Sequence, residues 1–278
     1  MPTIQNLKKK LQVILSTKKL TQAMKTASTV KYSKLSALYS DYEKYSEQCD
    51  RMYRNYRKDF NSVFSVSNPE APVLYIVLTS NKGMCGSFNT ELISFFENIL
   101  CEQKNEAVII CCGKKGKDYL EGKKIHCDKS YILSDIPSYS DACTLFEDIR
   151  ELMENGKISS VKTVYPQYQN MMKQKPVCDG LFSFEESLTD SEEPLFVPDR
   201  QTVMANTAEK ILISIIYKKL LETALGAQAA TLTTMRSAYD TACEYSAQLE
   251  TEINRKRQSQ VTADVLEVSA DYSKEGEV

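Results

Sequence analysis

Helix-breaking residues are confined to the middle of this chain, and no other feature restricts its fold as much. Of eight prolines and nine glycines, residues 3–68 contain none and residues 199–275 contain only Gly226. Proline removes a backbone donor and clashes with the preceding turn, and glycine costs backbone entropy. Stretches lacking both propagate as helix. The chain therefore divides into an N-terminal helical part (1–68), a middle domain (69–198) and a C-terminal helical part (199–278). At 1.5 Å per residue, helices over 3–60 and 200–270 reach roughly 85 Å and 105 Å. Each is too long for one compact globule and needs a partner along its length. The two are each other's nearest candidates, and a domain inserted at their shared base makes them antiparallel.

The hydrophobic spacing agrees. Leu35, Leu38, Tyr42, Tyr45, Cys49, Met52 and Tyr56 alternate steps of three and four, as a coiled-coil seam does. Ile4, Leu7, Leu11 and Ile14 repeat the spacing in a different phase. Leu232, Met235, Tyr239, Ala242, Ser246, Leu249 and Ile253 supply the seam of the C-terminal helix. Pro198 followed by Asp199 marks that helix's start, since proline is tolerated in a first turn and an acid is favoured there. If the helices leave the domain with residue 60 beside residue 205, residue i faces about 265 − i. Met24 then lies near Tyr239–Ala242 and Ile4 near Val261, and the C-terminal helix runs on alone for about ten residues.

The middle part alternates. Val73–Leu78 and Ala107–Cys112 are continuous apolar runs of the kind buried on both faces of a parallel sheet. Residues 89–101 and 141–153 read as helices, and 161–165 and 177–184 as weaker strands. Strand–helix–strand order calls for crossover connections and a mainly parallel sheet. The expected fold class is thus α/β: a Rossmann-like domain inserted into a long antiparallel α-helical coiled coil formed by both termini. Residues 185–198 are acidic and read as a connecting loop or edge.

Motifs for chemistry are weak. Residues 79–89 (TSNKGMCGSFN) lie between a strand and a helix, where α/β folds hold phosphates. The stretch lacks GxGxxG and the GK[ST] ending of a phosphate loop, and Lys82 precedes the glycines. A structural turn built on Gly83, Cys85 and Gly86 is the favoured reading. The lysines of 113–117 (GKKGK) suit a solvated helix start. His126 is the sole histidine, and there is no nucleophile elbow, so no catalytic residue is assigned. Cys85 reads as a packed thiol before a nucleophile. Nine scattered cysteines without CxxC suit free thiols in a reducing compartment. They lack the clustering of a zinc site, so no metal and no cofactor are expected. No apolar run reaches the ~20 residues of a membrane span. No signal or transit segment precedes the helix, so a cytoplasmic protein is expected.

Charge is more telling. Residues 1–40 carry Lys8, Lys9, Lys10, Lys18, Lys19, Lys25, Lys31 and Lys34 and no acid. Such a field attracts nucleic acid, an anionic membrane or an acidic protein surface. Without interleaved arginines and aromatics, and with a net charge of −2 overall, nucleic acid is not the expected partner.

Three segments, one in each part, resemble the gamma subunit family of F1-type rotary ATP synthases. Residues 17–34 (TKKLTQAMKTASTVKYSK) are similar to its N-terminal helix, with the step Ala23, Met24, Lys25. The loop 79–89 is similar to its Gly-Leu-Cys-Gly loop, with Met84 for Leu. Residues 247–268 are similar to its C-terminal helix, notably at Asn254, Arg257, Gln258, Thr262 and Glu267. The resemblance implies a non-catalytic central rotor: a coiled coil standing in a ring of three α/β pairs, with its foot on the membrane c-ring beside the epsilon subunit. Catalysis then belongs to the β subunits. It implies partner contacts at Lys8, Lys9, Lys10, Lys18, Lys19, Met24, Lys25, Asn254, Arg257, Gln258 and Thr262. It also implies a peripheral position on the cytoplasmic face of a bacterial membrane. The family's Ser-Glu and Arg-Met early in the C-terminal helix are replaced by Gly226, Ala227, Thr231 and Leu232, which marks a divergent member. A non-rotary coiled-coil scaffold, an F1-like ATPase shaft without a synthase role, and an enzyme using the α/β domain remain as alternatives.

Overall fold

A computed structural model describes residues 3–56, 70–103, 106–181 and 199–275. The elements run α1 (Ile4–Asn55), β1 (Val73–Leu78), α2 (Phe88–Glu102), β2 (Ala107–Cys112), α3 (Lys114–Gly122), β3 (Lys129–Tyr131), α4 (Tyr139–Glu154), β4 (Ser160–Asn170), β5 (Lys173–Gly180) and α5 (Arg200–Glu275). They fall into two compact units: Ser28–Thr233, and Met1–Ala27 with Thr234–Val278.

The larger unit holds one five-stranded sheet in the order β3-β2-β1-β4-β5. All its pairs are parallel except β4–β5. The apolar runs β1 and β2 serve both faces, as their unbroken hydrophobicity requires. Leu74, Ile76, Leu78, Ile110 and Cys112 point toward α4 and α5, where they meet Leu145, Phe146, Ile149, Leu212, Ile216 and Leu220. Tyr75, Val77, Ile109 and Cys111 point the other way, toward Leu92 and Phe96 of α2 and Leu120 of α3. The expected mainly parallel inserted α/β domain is therefore present. Helix α4 starts on a capping box: Ser138 Oγ accepts from the Asp141 N–H, and the Asp141 carboxylate accepts from the Ser138 N–H at 2.7 Å. The weaker strand expectations shift. The first lengthens into β4, and the second moves back to β5, with 182–184 outside the described residues, as is the acidic stretch 185–198. The short strand β3 carried no periodicity and escaped sequence reading.

The seam of α1 differs in detail. Leu35 and Cys49 are buried and Tyr42 half-buried, but Leu38, Tyr45 and Met52 are 43%, 51% and 36% exposed. The alternate inward row is Tyr32, Tyr39, Ser46 and Tyr53, one residue further on. Hydrophobicity alone picks the wrong neighbour because the inward positions are amphipathic. Tyr42 Oη donates to Ser214 Oγ at 2.6 Å, and buried Ser46 returns its hydroxyl to the Glu43 carbonyl at 2.9 Å. The change of phase expected after Ile14 also disappears: Leu7, Thr21, Ser28, Leu35 and Cys49 are all buried and fall on one seven-residue repeat. On α5 every expected seam residue from Leu232 to Ile253 is buried or half-buried. Asp199 caps its start, the carboxylate accepting from the Thr202 N–H at 2.8 Å and its hydroxyl at 2.9 Å.

Within the larger unit α1 and α5 are antiparallel. Leu35 packs on Leu221 and Leu225, and Cys49 on Met204, Ala208 and Ile211. The pairing is displaced by about two turns from the expected register. Met204, Ala208 and Ile211 face Cys49, where the expected register set residues 54–61 opposite them, so the assumed common exit point was too late in α1.

Candidate functional site

In the smaller unit, α1 up to Ala27 and α5 from Thr234 bury Leu7, Thr21, Met235, Ala242, Ser246 and Leu249. This interior is narrow and made largely of small or polar side chains. The lysines sort by helical angle. Lys8, Lys9, Lys10 and Lys19 are exposed, whereas Lys18 and Lys25 are half-buried. The ammonium groups of Lys18 and Lys25 lie 5.7 Å and 5.0 Å from the centre of the Tyr239 ring. A ring face attracts cations, so Tyr239 holds two like charges near the seam. Met24 is half-buried beside them. Asn254, Arg257, Gln258 and Thr262 are exposed and, with Val261, line one open hollow on α5. From Arg257 to Glu267 every side chain is exposed, including Val261, Val265 and Leu266.

In the larger unit, the loops after β1, β2 and β3 meet at one edge of the sheet, where α/β proteins bind ligands. Here the backbone donors at the start of α3 are already used: the N–H groups of Lys114, Lys115 and Gly116 donate to Asn81 Oδ1, the Ser80 carbonyl and Thr79 Oγ1. Gly113 permits this contact: its φ is +112°, and a Cβ would stand 2.3 Å from the Thr79 carbonyl oxygen. The remaining cavity is about 60 Å³, room for about two waters. A nucleotide needs several times that. Of the expected turn residues, Cys85 is buried, Gly86 has φ 60° beside Met84 at 64°, and Gly83 has room around it. Lys82, the residue a phosphate loop would offer, instead donates to Asp135 Oδ2 at 2.7 Å. Lys31 of α1 donates to the same oxygen. Burial alone would lift the Asp135 carboxyl, but the bonds from Lys31 and Lys82 outweigh it and hold the group below its ordinary value.

A second polar cluster lies between α5 and β4–β5. Lys219, buried, donates to Thr163 Oγ1, sits 3.5 Å from Asp179 and lies 4.6 Å from the Tyr165 ring centre. Burial pulls its ammonium below the usual value, and Asp179 only partly compensates. Glu222, one turn on, accepts from the Tyr168 N–H at 2.8 Å, yet burial raises its carboxyl. Neither Asp135 nor this cluster carried a sequence signal, since each is assembled from separate elements. Among the described residues no group of three or more metal-ligating side chains occurs.

The family model described as ATP synthase matches residues 3–272. The chain belongs to the ATP synthase family. It is 28% identical to the ATP synthase gamma chain of Rubrobacter xylanophilus, covering 97% of each chain, and 28% identical to that of Pelotomaculum thermopropionicum, covering 96% of this chain and 97% of the other. Among solved structures, a chain of the Euglena gracilis mitochondrial ATP synthase (OSCP/F1/c-ring) matches with TM-score 0.71 at 16% identity, over 97% of this chain and 93% of that one. A chain of the Tetrahymena thermophila mitochondrial ATP synthase central stalk and c-ring matches with TM-score 0.62 at 16% identity, over 79% and 99%. The gamma-subunit reading, the α/β fold with long terminal helices and the non-catalytic central-stalk function expected from the sequence all stand. No helix among the described residues is long and apolar enough to cross a membrane.

Proposed function

We propose that the chain is the central rotor stalk of an F1-type ATP synthase, coupling ion flow through the membrane c-ring to ATP synthesis or hydrolysis in an α3β3 ring by rotation. The observation that carries this reading is the match over residues 3–272, joined to a sheet edge where the backbone donors at the start of α3 are already spent. A rotor needs stiffness and an asymmetric surface, not a ligand pocket. Functionally the division is 1–68 and 199–278 for the shaft and 69–198 for the inserted domain. Lys8, Lys9, Lys10, Lys18, Lys19, Met24, Lys25, Asn254, Arg257, Gln258 and Thr262 form the contact set toward the ring, where exposed lysines suit acidic loops. Gly83, Cys85 and Gly86 serve as a structural turn. The epsilon subunit and the c-ring are the partners of the inserted domain. The complex lies on the cytoplasmic face of a bacterial membrane, with this chain peripheral to it.

Reconstitution with α and β subunits of the same source tests the reading. The pure chain is expected to hydrolyse no ATP and to enter a complex that does. Reversing the charge of Lys8, Lys9, Lys10 and Lys19 together should weaken assembly or alter the ATPase rate, by roughly two- to fivefold per charge and less at high salt. Assembly indifferent to all four reversals removes the electrostatic part of the reading. Turnover by the pure chain, lost in Lys82→Ala, overturns the rest.

A further inference from the structure

We propose that Asp135 is a positioning residue that keys α1 to the inserted sheet, so that helix and domain turn as one body under torque. This rests on the rotor reading above.

Both long helices pack apolar side chains toward the sheet, α1 through Tyr53 on the main core and through Leu35 and its tyrosines with Ile136 and Tyr168, but α1 adds directed polar bonds. Helix α5 buries Leu212, Ile213, Ile216 and Leu220 in the same apolar core as β1, β2 and α4. Helix α1 reaches the sheet's loop edge and β4 with polar groups at adjacent positions: Lys31 on Asp135, and the Tyr32 hydroxyl on the Tyr168 hydroxyl at 2.7 Å. Apolar packing resists separation but has no direction of its own. A charge-assisted hydrogen bond has a set length and angle, so it resists sliding and axial rotation of a helix.

The carboxylate does more than pair with one helix. Its Oδ2 also accepts from Lys82, which ties it to the β1–α2 loop. That loop is joined to both neighbours by Asn81, whose Nδ2 donates to the Leu133 carbonyl and whose Oδ1 accepts from the Lys114 N–H at 3.1 Å. The carboxylate therefore joins α1 to its own loop and to the β1–α2 loop, and Asn81 extends the link to the third loop of the sheet edge. The stoichiometry gives the proposal its signature. Two ammonium groups share one acid, so neutralising Asp135 leaves two like charges facing each other. Removing one of those cations as well should restore part of what was lost.

Two measurements test this. In the full chain, Asp135→Asn should speed amide hydrogen exchange at residues 28–36 of α1 roughly five- to tenfold, leave β1 unchanged, and be partly reversed by adding Lys82→Gln. In the reconstituted membrane complex, Asp135→Asn should keep ATP hydrolysis within about twofold while ion pumping per ATP falls at least twofold. Unchanged exchange at 28–36, a uniform rise that includes β1, no rescue by Lys82→Gln, or an unchanged pumping ratio would each overturn the role given to Asp135. If the wild-type chain itself supports no coupled pumping, the rotor reading fails instead.

Discussion

Gly226 is the one glycine in the C-terminal helix, and by sequence it looks like a defect. Replacing it with alanine should return the ~1 kcal/mol of helix propensity that glycine forfeits. Burying the added methyl should contribute about 0.8 kcal/mol more if space were free. The structure opposes both gains. A Cβ at Gly226 would stand 3.2 Å from Phe88 Cε2 and 3.2 Å from Gln174 Cγ. Carbon pairs are comfortable at about 3.5–4.0 Å, and overpacking a filled core costs about 1–3 kcal/mol. The Gln174 side chain is flexible and can retreat. The Phe88 ring is 6% exposed and wedged against Cys85 and Ala227, so it cannot move freely. Gly226→Ala is therefore expected to be neutral to about 1 kcal/mol destabilising. In a Phe88→Leu background, where the ring edge is gone, the same change should stabilise by about 1 kcal/mol. Urea unfolding followed by tyrosine fluorescence reads both, there being no tryptophan in the chain. The coupling between the two sites should be about 1–2 kcal/mol. If Gly226→Ala stabilises equally in both backgrounds, the close approach of Phe88 plays no part and the reasoning fails.

Thiol reactivity should follow burial. Cys101 is exposed, whereas burial pushes the Cys111 thiol up to about 12 and raises that of Cys112 further. Iodoacetamide at pH 8 should alkylate Cys101 first and leave Cys111 and Cys112 unmodified until urea unfolds the sheet, as peptide mass mapping would show; early labelling of Cys111 would contradict the two-faced burial of β2. Glu222 gives a test of pH dependence. Its folded value is raised by burial, so its contribution to stability is present below the ordinary glutamate range and is lost as pH rises through the folded value. Glu222→Gln keeps an acceptor for the Tyr168 N–H, so its stability relative to wild type should rise as pH increases from 4 to 8. A flat difference across that range would mean that the carboxyl is not desolvated.

The arrangement of helix breakers foretold the largest features because long helices depend on local chemistry, on propensity and on the absence of interruption. The two-faced strands β1 and β2 were legible for a similar reason, since an unbroken apolar run has only one comfortable environment. Pattern alone could not choose between Leu38 and Tyr39 as the inward neighbour of Leu35. Both steps are coiled-coil steps, and the packing across the seam made the choice: Tyr39 sits against the cluster of Leu35, Leu221 and Leu225, while Leu38 is left exposed. The candidate site divides the same way. The acid-free first forty residues announced a charged surface, but nothing in the order of residues singled out Tyr239 as the ring that draws in Lys18 and Lys25.

By itself, then, the sequence determined the helical ends, the inserted α/β domain between them and the family to which the chain belongs. These follow from periodicity and from motifs that are local in the chain. Only the tertiary structure decided the register of α1 on α5, the spent donors at the sheet edge and the meeting of Lys31, Lys82 and Asp135. The last of these depends on side chains 53 and 104 residues apart arriving at the same point, and contacts of that kind leave no pattern in the sequence around either partner.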